Sequence, residues 1–185
     1  ESRGLMERAE ELKRHFKQEH PNAGEPQVCR APGRINLLGE HVDYNGLPVL
    51  PMATQCDIRI AFASRADGVI RMRDRDAEYP PCEFMNGREI PPSPTGFWDN
   101  YCKAAVHGLN HYFEQETFPG MDMFVSGDIP VAVGLSSSSA LVVACALAYL
   151  RCLGKELGRD ISRLELAALL ADAEHYVGTR GGGMD

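Results

Sequence analysis

Pro130-Val131-Ala132-Val133-Gly134-Leu135-Ser136-Ser137-Ser138-Ser139-Ala140 leads directly into a nearly all-apolar stretch that reaches Leu153. Small side chains let a backbone approach a ligand closely. A helix that starts here offers unpaired N–H groups and the positive end of its dipole. Together these make an anion site suited to the phosphates of a nucleotide. Serine hydroxyls add donors and can ligate a hard cation such as Mg²⁺. The plainer reading is a Ser-rich helix cap, but a cap uses one serine and here four stand in a row after Gly134-Leu135. The run holds neither the Gly-Lys-Ser/Thr of a P-loop nor a Gly-x-Gly-x-x-Gly fingerprint.

Outward from this loop, Ser162 and Glu165 form a capping-box pattern ahead of Leu164, Leu166, Leu169 and Leu170. That helix is predicted to run to about Tyr176 and end near Gly178. Upstream, residues 3–18 place Leu5, Met6, Ala9, Leu12 and Phe16 at helical spacing. Gln27 to Arg30 and Ile35 to Leu38 read as two short extended stretches around Ala31-Pro32-Gly33, and Asn45-Gly46 is a turn signal. Pro48 to Thr54, Asp57 to Ala63 and Val69 to Arg73 read as strands joined by turns. Asp57 to Phe62 alternates polar and apolar, so one face is expected to meet a core and the other water. Residues 79–96, rich in Pro and Gly, read as a surface loop. Trp98 to Phe113 reads as a helix, Met121 to Val125 as a strand, and Gly127 to Pro130 as a loop. Strands cluster early and helices late, which favours α+β over regular βαβ alternation.

The 185 residues fit one domain of ordinary size, and 44% hydrophobic with 24% charged residues predicts a soluble globular chain. A net charge of −7 argues against a general nucleic-acid binder. The six cysteines, Cys29, Cys56, Cys82, Cys102, Cys145 and Cys152, form no C-x-x-C pair and mostly lie in apolar runs. They read as buried free thiols of a reducing cytosol, with a disulfide framework as the alternative. No signal peptide is visible and no apolar stretch is long and uncharged enough to span a membrane. The closing Gly181-Gly182-Gly183-Met184-Asp185 is an odd place for a domain to stop, so the chain is expected to be a piece of a longer protein.

Two other segments carry chemistry. Arg30 to Tyr44 packs Arg34, Glu40, His41 and Asp43 into a region bounded by Gly and Pro. Such a group can hydrogen-bond several hydroxyls of a small polyol, since carboxylates accept from OH groups and His can do either. A solvated surface turn is the alternative. Ala173 to Asp185 offers Glu174 as a cation ligand and Asp185, after a glycine run, as a general base. His107 and His111 are four apart on a predicted helix but lack a His-Glu-x-x-His pattern or a third ligand in sequence, so they read as ordinary helix histidines. Cys145 and Cys152 share a helical face and are expected to point to the core.

Together and in this order, the three segments resemble the galactokinase branch of the GHMP small-molecule kinases. Gly33 to Tyr44 resembles the galactokinase signature, Gly134 to Ala140 the GHMP phosphate loop, and Gly178 to Asp185 the segment that delivers a catalytic aspartate. The resemblance implies an α+β fold with a mixed sheet of the ribosomal-protein-S5-like type. Residues 1–185 would form the N-terminal GHMP domain, and a C-terminal GHMP domain would be absent from this chain. It implies transfer of the γ-phosphoryl of ATP to the anomeric hydroxyl of galactose, with Mg²⁺, in the cytoplasm, by a monomeric enzyme. It casts Arg34 and Asp185 as the catalytic pair, and Glu40, His41, Asp43 and Gly182 as sugar contacts. Gly134, Leu135, Ser136, Ser137, Ser138, Ser139 and Ala140 would hold phosphate, and Ser138 and Glu174 the metal. Gly181, where many galactokinases carry cysteine, and the four serines resemble the N-acetylgalactosamine kinase subgroup, which remains an alternative. A non-catalytic sugar sensor of the same fold is a further alternative, disfavoured by the intact Ser138-Ser139-Ala140.

Overall fold

The computed structural model describes residues 2–39, 45, 47–130, 135–173 and 176. The elements run α1 (Ser2–Glu19), β1 (Gln27–Leu38), β2 (Leu50–Arg65), β3 (Val69–Asp74), β4 (Cys82–Met85), α2 (Asp99–Tyr112), β5 (Gly120–Gly127), α3 (Ser137–Cys152) and α4 (Arg163–Ala173). The strands form one mixed sheet in the order β1-β2-β5-β3-β4. All pairs are antiparallel except β3 with β5. This is the expected α+β class.

Both faces of the sheet are covered. On one, Ile60, Phe62, Met121, Met123 and Val125 pack with Val106 and Leu109 of α2, and with Ala144, Tyr149 and Leu150 of α3. On the other, Leu12 and Phe16 of α1 cover Ala61, Ala63 and Phe124. Successive residues of β2 therefore serve two different cores, as the two-residue period of a strand dictates. Gly120 lets β5 start against β3, since a Cβ there would lie 2.2 Å from the Val69 carbonyl oxygen.

Several sequence expectations change. The two stretches around Pro32 are one strand, tolerated because β1 is an edge strand and its register with β2 shifts between Pro32 and Arg34. Pro48–Thr54 and Asp57–Ala63 likewise merge, from Leu50 onward, into the single 16-residue β2. The polar face expected to meet water from Asp57 to Phe62 does not, because α1 lies over part of it and Asp57 is fully buried. The 79–96 loop contains β4, and Ile90 and Asn86 within it are buried. The loop is pinned by the Trp98 Nε1–H donating to the Pro80 carbonyl at 2.9 Å. The Ser93 N–H adds a bond to Asn100 Oδ1 at 2.8 Å.

The capping box forms as read: the Ser162 N–H donates to Glu165 Oε2 at 2.9 Å and the Glu165 N–H to Ser162 Oγ at 3.2 Å. The described part of that helix reaches Ala173; its expected continuation lies outside the described residues apart from Tyr176. All six cysteines are free thiols, but only Cys102 and Cys145 are buried as expected; Cys29, Cys56, Cys82 and Cys152 are half-buried, packed against the core from its margin. Among the described residues no helix is long and apolar enough to cross a membrane.

Candidate nucleotide-phosphate site

The serine run starts α3 in an unusual way. Ser136 sits at φ 54°, ψ 47°, the left-handed region, and its side chain makes no capping bond. A non-glycine residue held there costs roughly 1–3 kcal/mol. The strained turn sends the chain abruptly into the helix, and the Ser136 carbonyl accepts the Ala140 N–H at 3.0 Å. Behind it α3 is apolar and deeply buried, with Ala140, Val142, Ala144 and Cys145 all in the main core. The N-terminus is thereby fixed by packing, with Leu135 to Ser138 half-buried and Ser139 and Ala140 buried.

The loop is also tied to β1. The Arg34 N–H donates to the Leu135 carbonyl at 3.1 Å. Gly33, beside it, has no room for a side chain: a Cβ would lie 3.0 Å from the Leu135 carbonyl oxygen, 3.0 Å from Thr54 Oγ1 and 3.2 Å from Ile129 Cδ1. Thr54 is held in turn by donating to the Cys56 carbonyl at 2.9 Å. The place where β1 slips register is thus the place where it meets the serine loop.

The approach to the loop rests on an ion cluster around the buried Asp57, which the sequence did not reveal. Asp57 lies between Arg30, at 3.2 Å, and Arg59. Its N–H donates to Asp128 Oδ1 at 2.7 Å, and Asp128 returns its own N–H to the Asp57 carbonyl at 3.2 Å. Arg8 of α1 reaches Asp128 at 3.1 Å. Asp128 and Ile129, just ahead of the loop, are therefore fixed to β2. The only sequence signal was an acidic residue inside a strand pattern, which reads equally well as solvent-facing.

Of the sequence-derived site residues, the structure brings together Arg34, Leu135, Ser136, Ser137, Ser138, Ser139 and Ala140 at the junction of β1 and α3. Glu40, His41, Asp43, Gly134, Glu174, Gly182 and Asp185 lie outside the described residues. A separate cleft of about 390 Å³ is lined by Glu19, His20, Arg65, Arg71, Arg73 and Asp122, among others. It is no ready anion site, because Arg65 is paired with Asp67 and Asp122, Arg71 with Glu83, and Arg73 with Glu19.

A five-stranded mixed sheet backed by a buried helix with a serine-lined N-terminus is the architecture of the class that matches here: residues 100–185 match the family "GHMP kinases N terminal domain". Residues 14–64 match the "Galactokinase galactose-binding signature". The chain is 33% identical over 184 residues to a galactokinase of Candida maltosa, covering 97% of this chain and 85% of that one. It is 35% identical over 179 residues to the galactokinase of Candida parapsilosis, covering 94% of this chain and 35% of the relative. The crystal structure of Lactococcus lactis galactokinase complexed with galactose superimposes with a TM-score of 0.84 at 28% identity, over 95% of this chain and 44% of that one. The chain belongs to the galactokinase family. It spans about a third of the length of the Candida parapsilosis relative.

Proposed function

We propose that the protein carrying this chain is an ATP-dependent sugar kinase that phosphorylates the anomeric hydroxyl of galactose. The observation that supports this most is the bond from the Arg34 N–H to the Leu135 carbonyl. It holds the sugar-signature segment and the helix start that would take the phosphates side by side. Phosphoryl transfer needs this above all: two substrates positioned, and charge neutralised where it develops.

In this reading the N–H groups at the start of α3 hold phosphate oxygens, and Arg34 offsets negative charge as it develops. Glu40, His41, Asp43 and the Gly182 backbone hold sugar hydroxyls, and Asp185 receives or orients the proton of the attacking hydroxyl. Ser138 and Glu174 would hold Mg²⁺, and the half-buried serine hydroxyls with a carboxylate fit its demand for oxygen ligands. The ion, when bound, supplies charge neutralisation on the phosphates. A further C-terminal domain would complete the cleft. A cytosolic location accords with the free thiols, and the protein would act as a monomer.

The test is the full-length protein assayed with ATP, and with galactose and N-acetylgalactosamine side by side. Asp185→Asn keeps shape but loses the base, so turnover is expected to fall roughly 10²–10⁴-fold with ATP affinity nearly unchanged. Near-normal kcat in that variant would remove Asp185 from the mechanism. Turnover of N-acetylgalactosamine alone would move the protein to the other subgroup.

A further inference from the structure

His107 and His111 stand one turn apart on α2, and the fold supplies the third ligand that the sequence lacks beside them. Glu89, in the segment between β4 and α2, lies against the same face. One ligand atom from each of the three residues falls within 4.8 Å of the others. The two imidazole rings have centroids 4.3 Å apart at 53°. A tetrahedral zinc ion with bonds of about 2.0–2.1 Å holds its donors roughly 3.3 Å apart. Closing the remaining distance asks only for rotation of Glu89 and His111, which are exposed.

The surroundings favour a cation. Among the described residues no lysine or arginine forms an ion pair with Glu89, so its charge faces the two imidazoles. His107 is half-buried and packs on the Tyr176 ring, with centroids 5.4 Å apart. The Tyr176 hydroxyl in turn donates to the Ile90 carbonyl, next to Glu89. His107 is thereby steadied by a neighbour, while the other two ligands are free to close.

We propose that Glu89, His107 and His111 form a binding site for a divalent transition metal of the zinc type, which fastens the segment after β4 to α2 and to the Tyr176 contact. Two imidazoles and one carboxylate suit Zn²⁺, Co²⁺, Ni²⁺ or Cu²⁺ and discriminate against Mg²⁺ and Ca²⁺, which take oxygen ligands. The fourth position opens to solvent and would hold water. The proposal does not depend on the proposed kinase chemistry.

The experiment uses the full-length protein without a histidine tag, stripped of metal and titrated with CoCl₂. One equivalent of Co²⁺ should bind with the visible d–d bands of a nitrogen–oxygen site. Zn²⁺ should displace it and excess Mg²⁺ should not. His111→Gln, at an exposed position that leaves the fold intact, should weaken binding by more than about 100-fold, beyond the roughly 10–100-fold loss typical of a ligand's hydrogen-bond partner. Glu89→Gln should weaken it as well, and Zn²⁺ should raise the melting temperature of the parent but not of His111→Gln. Three results would each overturn the proposal: no Co²⁺ binding by the parent, equal affinity in His111→Gln, or a sulfur-to-cobalt charge-transfer band that moves the ion to a cysteine.

Discussion

A methyl group added at Gly33 would press on the Leu135 carbonyl and on Thr54 Oγ1 at 3.0 Å each. The carbonyl belongs to the backbone of the serine loop, so either β1 or the loop must give. Gly33→Ala should therefore destabilise by about 1–3 kcal/mol, the usual cost of overpacking. In the full-length protein it should raise the KM for ATP more than that for sugar. Melting curves and separate substrate titrations check both parts. Asp74 shows a different residue-scale effect. Burial pushes its carboxyl up to about 6, with the nearby Asp76 charge adding and the Asp76 N–H, at 2.8 Å, opposing. Unfolded, the same group titrates near 3.9. Between these values the folded state binds more protons, so stability is lost as pH rises through the window. Asp74→Asn removes that loss: relative to the parent, it should gain about 1–2 kcal/mol between pH 4 and pH 7, allowing for solvent that reaches the carboxylate. Denaturant titrations at both pH values measure it, and a flat difference would contradict the raised carboxyl.

Among the elements, α1, α2, α3 and the capping box of α4 were legible because each carries a helical apolar stripe or a cap signal. β4 was not, since Cys82 to Met85 is four residues long and flanked by Pro and Gly. Pro32 and the polar run near Thr54 imitate turns, so the sequence pattern breaks the two long strands; only the pairing of β1 with β2 carries the chain through. For the site, the serine run and Arg34 were legible, while their contact and the nearness of Glu89 to α2 were not, because both depend on tertiary placement. So does a closed ring of side chains that joins α2 and α3 to the segment after β4. The Asn86 amide donates to the Tyr149 hydroxyl at 2.7 Å, that hydroxyl donates to Asn110 Oδ1 at 2.7 Å, and the Asn110 amide donates to Asn86 Oδ1 at 2.8 Å. All three residues are buried. Tyr149→Phe keeps the volume but leaves an acceptor and a donor without their shared partner. It should cost about 1–3 kcal/mol, read as a lower denaturation midpoint with an unchanged m-value. A loss well under that range would mean the ring re-forms around the missing hydroxyl.

At the scale of the molecule, the end of the β1–β2 ribbon is apolar and bare. Leu38 is 68% exposed, Leu50 52% and Met52 51%. Met52 is the cross-strand partner of Ile35, and Leu38 of Leu50, so these side chains form a continuous patch rather than scattered surface residues. Such patches mark surfaces that another part of a protein covers, and the proposed C-terminal domain is the occupant that fits a chain spanning a third of one relative. Met52→Glu separates this from a solvent-facing patch. In the isolated 185-residue chain the new carboxylate meets water, so stability should move by no more than about 0.5 kcal/mol and aggregation should fall. In the full-length protein the same carboxylate would be buried without a partner, a loss of at least about 3 kcal/mol, with turnover falling alongside. Melting temperature and light scattering of both lengths, with and without the substitution, give a two-by-two comparison. If the full-length protein tolerates Met52→Glu as well as the isolated chain does, nothing covers the patch, and the domain proposed to complete the cleft packs elsewhere.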